Sequence, residues 1–70
     1  MTDMTAAQKQ VYEFVKEYIA KKGYSPSIRE IGKGTGGRGA ATTKVKLEKL
    51  REHGYVDWID FVPRTIRILK

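Results

Sequence analysis

No cysteine occurs in the 70 residues, so neither a disulfide framework nor a thiolate metal cage can staple this chain. A single histidine, His53, has no second imidazole to share a metal with, and no metal or other cofactor is expected. The apolar stretches are a few residues long, far short of the ~20 that span a bilayer. Met1-Thr2-Asp3-Met4 carries neither the basic region nor the apolar run of a secretory signal, which makes a cytoplasmic protein the expectation, with no membrane partner. Serine stops at Ser27, and Asp57 and Asp60 have no acid–base partner beside them. No catalytic constellation is present, and neither an enzyme nor a small-molecule substrate is expected. A chain this short forms one small domain, expected over residues 1–70, and buries only about 60% of its unfolded surface.

Charge is plentiful, and it is uneven. Arg29, Lys33, Arg38, Lys44, Lys46, Lys49 and Arg51 face only Glu30 and Glu48 in the stretch between the two outer arginines. Seven basic against two acidic side chains place nearly all of the net +6 in that one segment. A concentrated basic patch on a small domain attracts polyanions, nucleic acid above all. A solvated face that only aids solubility is the plainer alternative.

Local signals divide the chain into elements. Thr5 and Gln8 have the spacing of a capping box, and Ala7, Val11, Phe14, Val15, Tyr18 and Ile19 recur as one buried stripe. These predict a helix over about 6–22, stopped by Gly23. Ser27 and Glu30 form a second box, opening a short helix over about 28–34. Gly32, Gly34, Gly36, Gly37 and Gly39 follow, and each interior glycine costs a helix about 1 kcal/mol. A third helix is expected over about 40–53, ending at Gly54. At 100° per residue its Ala40, Thr43, Leu47 and Leu50 face the core. Arg38, Ala41, Thr42, Val45 and Lys49 share the opposite side, flanked by Lys44 and Lys46. Val45 is out of place on a face meant only for water.

After Gly54 the period changes to two. Val56 and Trp58 alternate with Asp57, Ile66 and Ile68 with Arg67, and Phe61 to Arg64 turns the chain. This predicts an antiparallel hairpin over about 55–69 with its apolar side on the helices. Tyr55, Ile59 and Phe61 fall on its other side. The fold class is therefore α+β: a three-helix winged helix-turn-helix with a C-terminal two-stranded hairpin. A short helix joined by a tight turn to a basic helix suits a major groove about 12 Å wide.

Thr5-Ala6-Ala7-Gln8, the block from Gly23-Tyr24-Ser25-Pro26-Ser27 through Glu30-Ile31-Gly32, Leu47-Glu48-Lys49-Leu50, Gly54-Tyr55-Val56 and Arg64-Thr65-Ile66-Arg67-Ile68-Leu69 resemble the DNA-binding domains of the LexA family. The most specific piece is G-x-x-P-[ST]-x-x-E-I after an amphipathic helix, and the likeness runs without gaps over roughly residues 5–69. The resemblance implies a bacterial or phage transcription regulator, a repressor of the SOS-response type. It implies a helix that reads bases through Ala41, Thr42, Lys44 and Val45, with the wing over 56–69 on the DNA backbone near Arg64. Phosphate contacts are expected from Arg38, Lys44, Lys46, Lys49 and Arg64, and discrimination from Thr42 and from Val45 against a thymine methyl. Arg29 is secondary, with Glu30 or Glu13 as its expected partner.

The sequence departs from the family in a glycine-rich turn, with Thr35 and Gly37 where larger residues usually stand. Its wing turn has Pro63 and no glycine. LexA repressors continue into a self-cleaving serine-lysine protease domain, for which this chain has no counterpart. Gly32-Lys33-Gly34-Thr35-Gly36-Gly37 matches G-x-G-x-x-G, but no strand precedes it as dinucleotide binding requires. Double-stranded DNA is the expected partner, with localisation at the nucleoid. A weak homodimer, a second domain or a partner protein also remains open. A protein-docking winged helix that uses Tyr55, Ile59 and Phe61 is the alternative reading. RNA binding is disfavoured, because exposed aromatics do not interleave with the basic residues.

Overall fold

A computed structural model describes residues 4–36 and 40–70. Three helices, α1 (Ala6–Lys22), α2 (Ile28–Gly34) and α3 (Ala40–Glu52), precede two strands, β1 (Val56–Asp57) and β2 (Arg67–Ile68). The strands pair antiparallel, Val56 with Ile68 and Asp57 with Arg67. This is the winged helix-turn-helix architecture.

Both capping boxes form. Thr5 Oγ1 accepts from the Gln8 N–H at 3.1 Å while the Thr5 N–H donates to Gln8 Oε1 at 3.1 Å. Ser27 and Glu30 repeat the exchange at 3.2 and 2.8 Å. Each box satisfies two backbone donors that a helix start leaves unpaired. Gly23 ends α1 in the left-handed region at φ 80, its N–H donating to the Ile19 carbonyl. α3 stops one residue earlier than expected. Gly54 donates to the Arg51 carbonyl and Tyr55 to that of Leu50, with Gly54 at φ 78, which is a Schellman closure with His53 as the cap.

The core is Val11, Tyr12, Val15, Ile31, Leu47, Leu50, Val56 and Ile66. In α1 the buried stripe is rotated from the expected one, for Ala7 is exposed and Tyr12 is buried. Tyr12 sits at i, i+3 and i+7 with Val15 and Ile19. Its hydroxyl donates to the Lys70 carbonyl, and its ring meets Tyr55 edge-on at 5.9 Å. That long-range partner draws Tyr12 inward.

Gly32 and Gly34 do more than shorten α2. A Cβ on Gly34 would stand 2.0 Å from the Phe14 ring, and one on Gly32 would stand 3.1 Å from Thr43 Oγ1. These two glycines let α1 and α3 approach the short helix closely. Gly37, Gly39 and Arg38 lie outside the described residues.

The hairpin is much shorter than its alternating pattern suggests. The Ile66 N–H points away from β1 and donates to Ser25 Oγ at 3.1 Å, and the Trp58 N–H donates to Asp57 Oδ1 at 2.9 Å. The next hydrogen-bonded pair would be Ile59 with Thr65, and there the Thr65 side chain takes the Ile59 N–H, so pairing ends at Asp57 and Arg67. Beyond them Thr65 Oγ1 closes the wing: it accepts from the Ile59 N–H at 2.9 Å and bonds the Val62 carbonyl at 2.9 Å. Tyr55 also differs from expectation, being half-buried against the core, whereas Ile59 and Phe61 are exposed.

Candidate nucleic-acid interface

α3 has two unlike faces. Thr43, Leu47 and Leu50 are buried completely or nearly so, which fixes the helix about its own axis. Opposite them Ala41, Thr42, Lys44, Val45 and Lys49 are exposed, and Lys46 is half-buried. Val45 shows 57% of its surface to solvent, an apolar side chain standing among lysines. Lys49 lies 3.8 Å from Glu52, both largely solvated, a contact too exposed to hold the lysine in place. Arg38, expected on this face, lies outside the described residues.

Two arginines in the basic stretch and the wing act differently. Arg51 donates through Nε to Asp57 at 2.8 Å, through Nη1 to Asp60 at 3.1 Å and through Nη2 to the Trp58 carbonyl at 3.0 Å. Its guanidinium also lies 4.3 Å from the centre of the Trp58 ring. The planar fork thus joins the last turn of α3 to the base of the wing. Asp57 titrates below the usual carboxylate range, chiefly because it accepts the Trp58 N–H and then because of Arg51.

Arg64 is the second clamp. Its guanidinium grips Glu30 at 2.9 and 3.1 Å, donates to the Ser25 carbonyl at 3.3 Å and lies 5.5 Å from the Tyr24 ring centre. This ties the wing to the start of α2, which begins the helix-turn-helix. The Ser27 N–H and then Arg64 hold the Glu30 carboxyl down at about 2. The expectation that Arg29 pairs with Glu30 or Glu13 is not met. Arg64 occupies Glu30, and Arg29 is exposed with no ion pair among the described residues.

Sequence reasoning missed Arg51, Arg64 and Ser25 as fasteners. Glu30 at the third position of a capping box was a visible signal for α2. Nothing local announces a partner 34 residues away. Among the described residues no group of His, Cys, Asp and Glu is placed to hold a metal, and no helix is long and apolar enough to cross a membrane.

Residues 1–65 match the family model described as LexA DNA binding domain. The chain belongs to the LexA DNA-binding domain family. Similar proteins include a transcription regulator LexA from Synechocystis sp., 41% identical over 69 residues, covering 99% of this chain and 34% of that protein. A LexA repressor from Clostridium novyi is 46% identical over 63 residues, 90% of this chain and 31% of the repressor. One from Staphylococcus aureus is 36% identical over 69 residues, again 99% of this chain and 33% of its own length. The chain therefore spans about a third of the length of these LexA relatives.

Proposed function

We propose that this LexA-type domain binds double-stranded DNA sequence-specifically and regulates transcription, with α3 in the major groove and the wing along the flanking backbone. The observation that carries this reading is the two-sided character of α3: one face locked in the core, the other offering small, polar, apolar and cationic side chains together. A helix of that cross-section fits the groove, and its inward anchoring prevents rotation.

Roles follow from chemistry. Ala41 allows close approach, the Thr42 hydroxyl donates to or accepts from a base edge, and Lys44 suits the acceptors of guanine. The Val45 methyls pack on the C5-methyl of thymine. Each good contact gives about 1–3 kcal/mol of discrimination. Lys46, Lys49 and Arg38 take phosphates, which carry most of the affinity and its salt dependence. Arg64 has more N–H donors than Glu30 and Ser25 use, so its outward edge remains available to a phosphate. A single module binds weakly, and paired half-sites about one helical turn apart require two copies. The printed names of the relatives, repressor and transcription regulator, support a regulatory role at the nucleoid of a bacterial cytoplasm.

The test is fluorescence anisotropy on a random duplex across a salt series, followed by selection of sites from a random library. A steep negative log–log slope and an enriched motif are expected. Absence of binding even at low salt overturns the proposal and favours the docking reading, for which the exposed Ile59, Phe61 and Val62 speak.

A further inference from the structure

The wing ends in an apolar patch that the major-groove contacts leave unused. Ile59, Phe61 and Val62 are exposed, Phe61 completely. Phe61 also stands at φ 65, a left-handed conformation that a bulky side chain keeps only when its surroundings enforce it. They do so here: Thr65 Oγ1 bonds both Ile59 and Val62, and the Val62 N–H donates to the Ile59 carbonyl at 3.2 Å. Glycine at this position would avoid both the strain and the exposed ring. Two penalties at one residue, neither returning a contact within the domain, point to a ligand outside it.

The surroundings suit a polyanion. Asp60, beside Phe61, is held by Arg51 and by Trp58 Nε1, each at 3.1 Å, so its charge is countered. Lys44 of α3 lines the same depression as Phe61 and Trp58. The tip is therefore continuous with the lysine face. A second copy docking here through the same patch would bring its own Lys44 against this one, whereas DNA would not.

We propose that Phe61 is a wedge that enters the minor groove beside the major groove occupied by α3, and unstacks a base step there so that the duplex kinks. This rests on the DNA-binding reading above.

The test compares the wild-type chain with Phe61→Ala on duplexes recovered from the random library and trimmed to one half-site. Anisotropy reads affinity, and energy transfer between end labels reads bending. The variant is expected to bind roughly tenfold more weakly and to bend the duplex less, with an unchanged salt slope because no phosphate contact is lost. Its melting temperature should stay level or rise, since Phe61 supports nothing in the fold. A flexible pyrimidine–purine step under the wing should favour the wild type over a stiff A-tract, and the variant should lose that preference. Phe61→Leu should keep most of the bend. Equal affinity and bending in wild type and Phe61→Ala overturn the wedge alone. So does a loss confined to two-half-site duplexes, which would mean that Phe61 meets another copy. A wild type that binds no duplex at all removes the DNA reading together with the wedge.

Discussion

α3 and the wing are neighbours joined by Arg51, yet they are fastened by opposite means. α3 is held by burial, through Thr43, Leu47 and Leu50. The wing has a ladder of two residue pairs and otherwise depends on side-chain hydrogen bonds from Arg51, Thr65, Arg64 and Ser25. Burial does not titrate, whereas the ionic clamps of Arg51 and Arg64 weaken with acid and with screening. The proposed reading helix thus stands on a rigid base, and the wing can be adjusted without unfolding the domain. The basic residues divide in the same way. Arg51 and Arg64 make planar, multidentate clamps, whereas Lys44 and Lys49 on α3 face outward as point charges.

The strongest way to break this contrast is to empty the floor under α3. Leu47→Ala should cost about 2–5 kcal/mol, comparable with the whole stability of so small a domain, and circular dichroism should find the chain largely unfolded. Val45→Ala on the opposite face should change stability by no more than about 0.5 kcal/mol, so that any effect on DNA is a surface effect. A subtler attack is Gly34→Ala. The new methyl would displace the Phe14 ring, whose nearest atom lies 2.0 Å from its position. Overpacking of about 1–3 kcal/mol outweighs the helix gain of about 1 kcal/mol, and the denaturant midpoint should fall. In a Phe14→Ala background the same change should be neutral or stabilising. A midpoint unaffected in both backgrounds would refute the glycine-mediated approach.

Arg51→Lys sharpens the division between clamps and free cations. A lysine keeps the charge but cannot reach Asp57, Asp60 and the Trp58 carbonyl in one plane. The wing should loosen, seen as a red shift of Trp58, the chain's one tryptophan, and DNA affinity should fall with its salt slope intact. Lys46→Ala should do the reverse, lowering the slope by about one and leaving Trp58 emission unchanged. Matching slopes in the two variants would erase the distinction.

How much of this was legible beforehand follows the same line. The helix boundaries were readable because their causes are local. Thr5 with Gln8, Ser27 with Glu30, and Gly23 and Gly54 all act within a few residues. The outward face of α3 was readable from its period, and Thr42 and Val45 stand where that period puts them. The length of the wing ladder was not legible because alternation cannot reveal that the Thr65 side chain would take the Ile59 N–H in place of a backbone carbonyl. The grip of Arg64 on Glu30 was not legible, because the two residues stand 34 positions apart. The glycines of α2 were read as breakers, since close approach by Phe14 and Thr43 is a property of three helices together. None of these failures was one of pattern recognition. Each arose where a tertiary contact overrode a local rule.

The smallest expected effect concerns the Glu30 clamp, and its sign can be worked out. The Glu30 carboxyl titrates at about 2 in the fold against an ordinary 4.5, so folding favours its ionised form. Its contribution is complete above the ordinary value and is lost as pH falls from 4.5 toward 2. Asp57 is shifted the same way, so some acid sensitivity survives any change at Glu30. Thermal midpoints of wild type and Glu30→Gln should therefore lie furthest apart above the window and converge within it, the variant falling less steeply with acid. Glutamine retains a carbonyl for the Ser27 N–H but offers Arg64 no charge. What disappears from the pH slope therefore belongs to ionisation, and what remains belongs to Asp57 and the other carboxylates. Parallel curves through that window would mean that Arg64 and Ser27 leave Glu30 titrating as it does in the unfolded chain, and the wing would then depend on Arg51 and Thr65 for its polar hold.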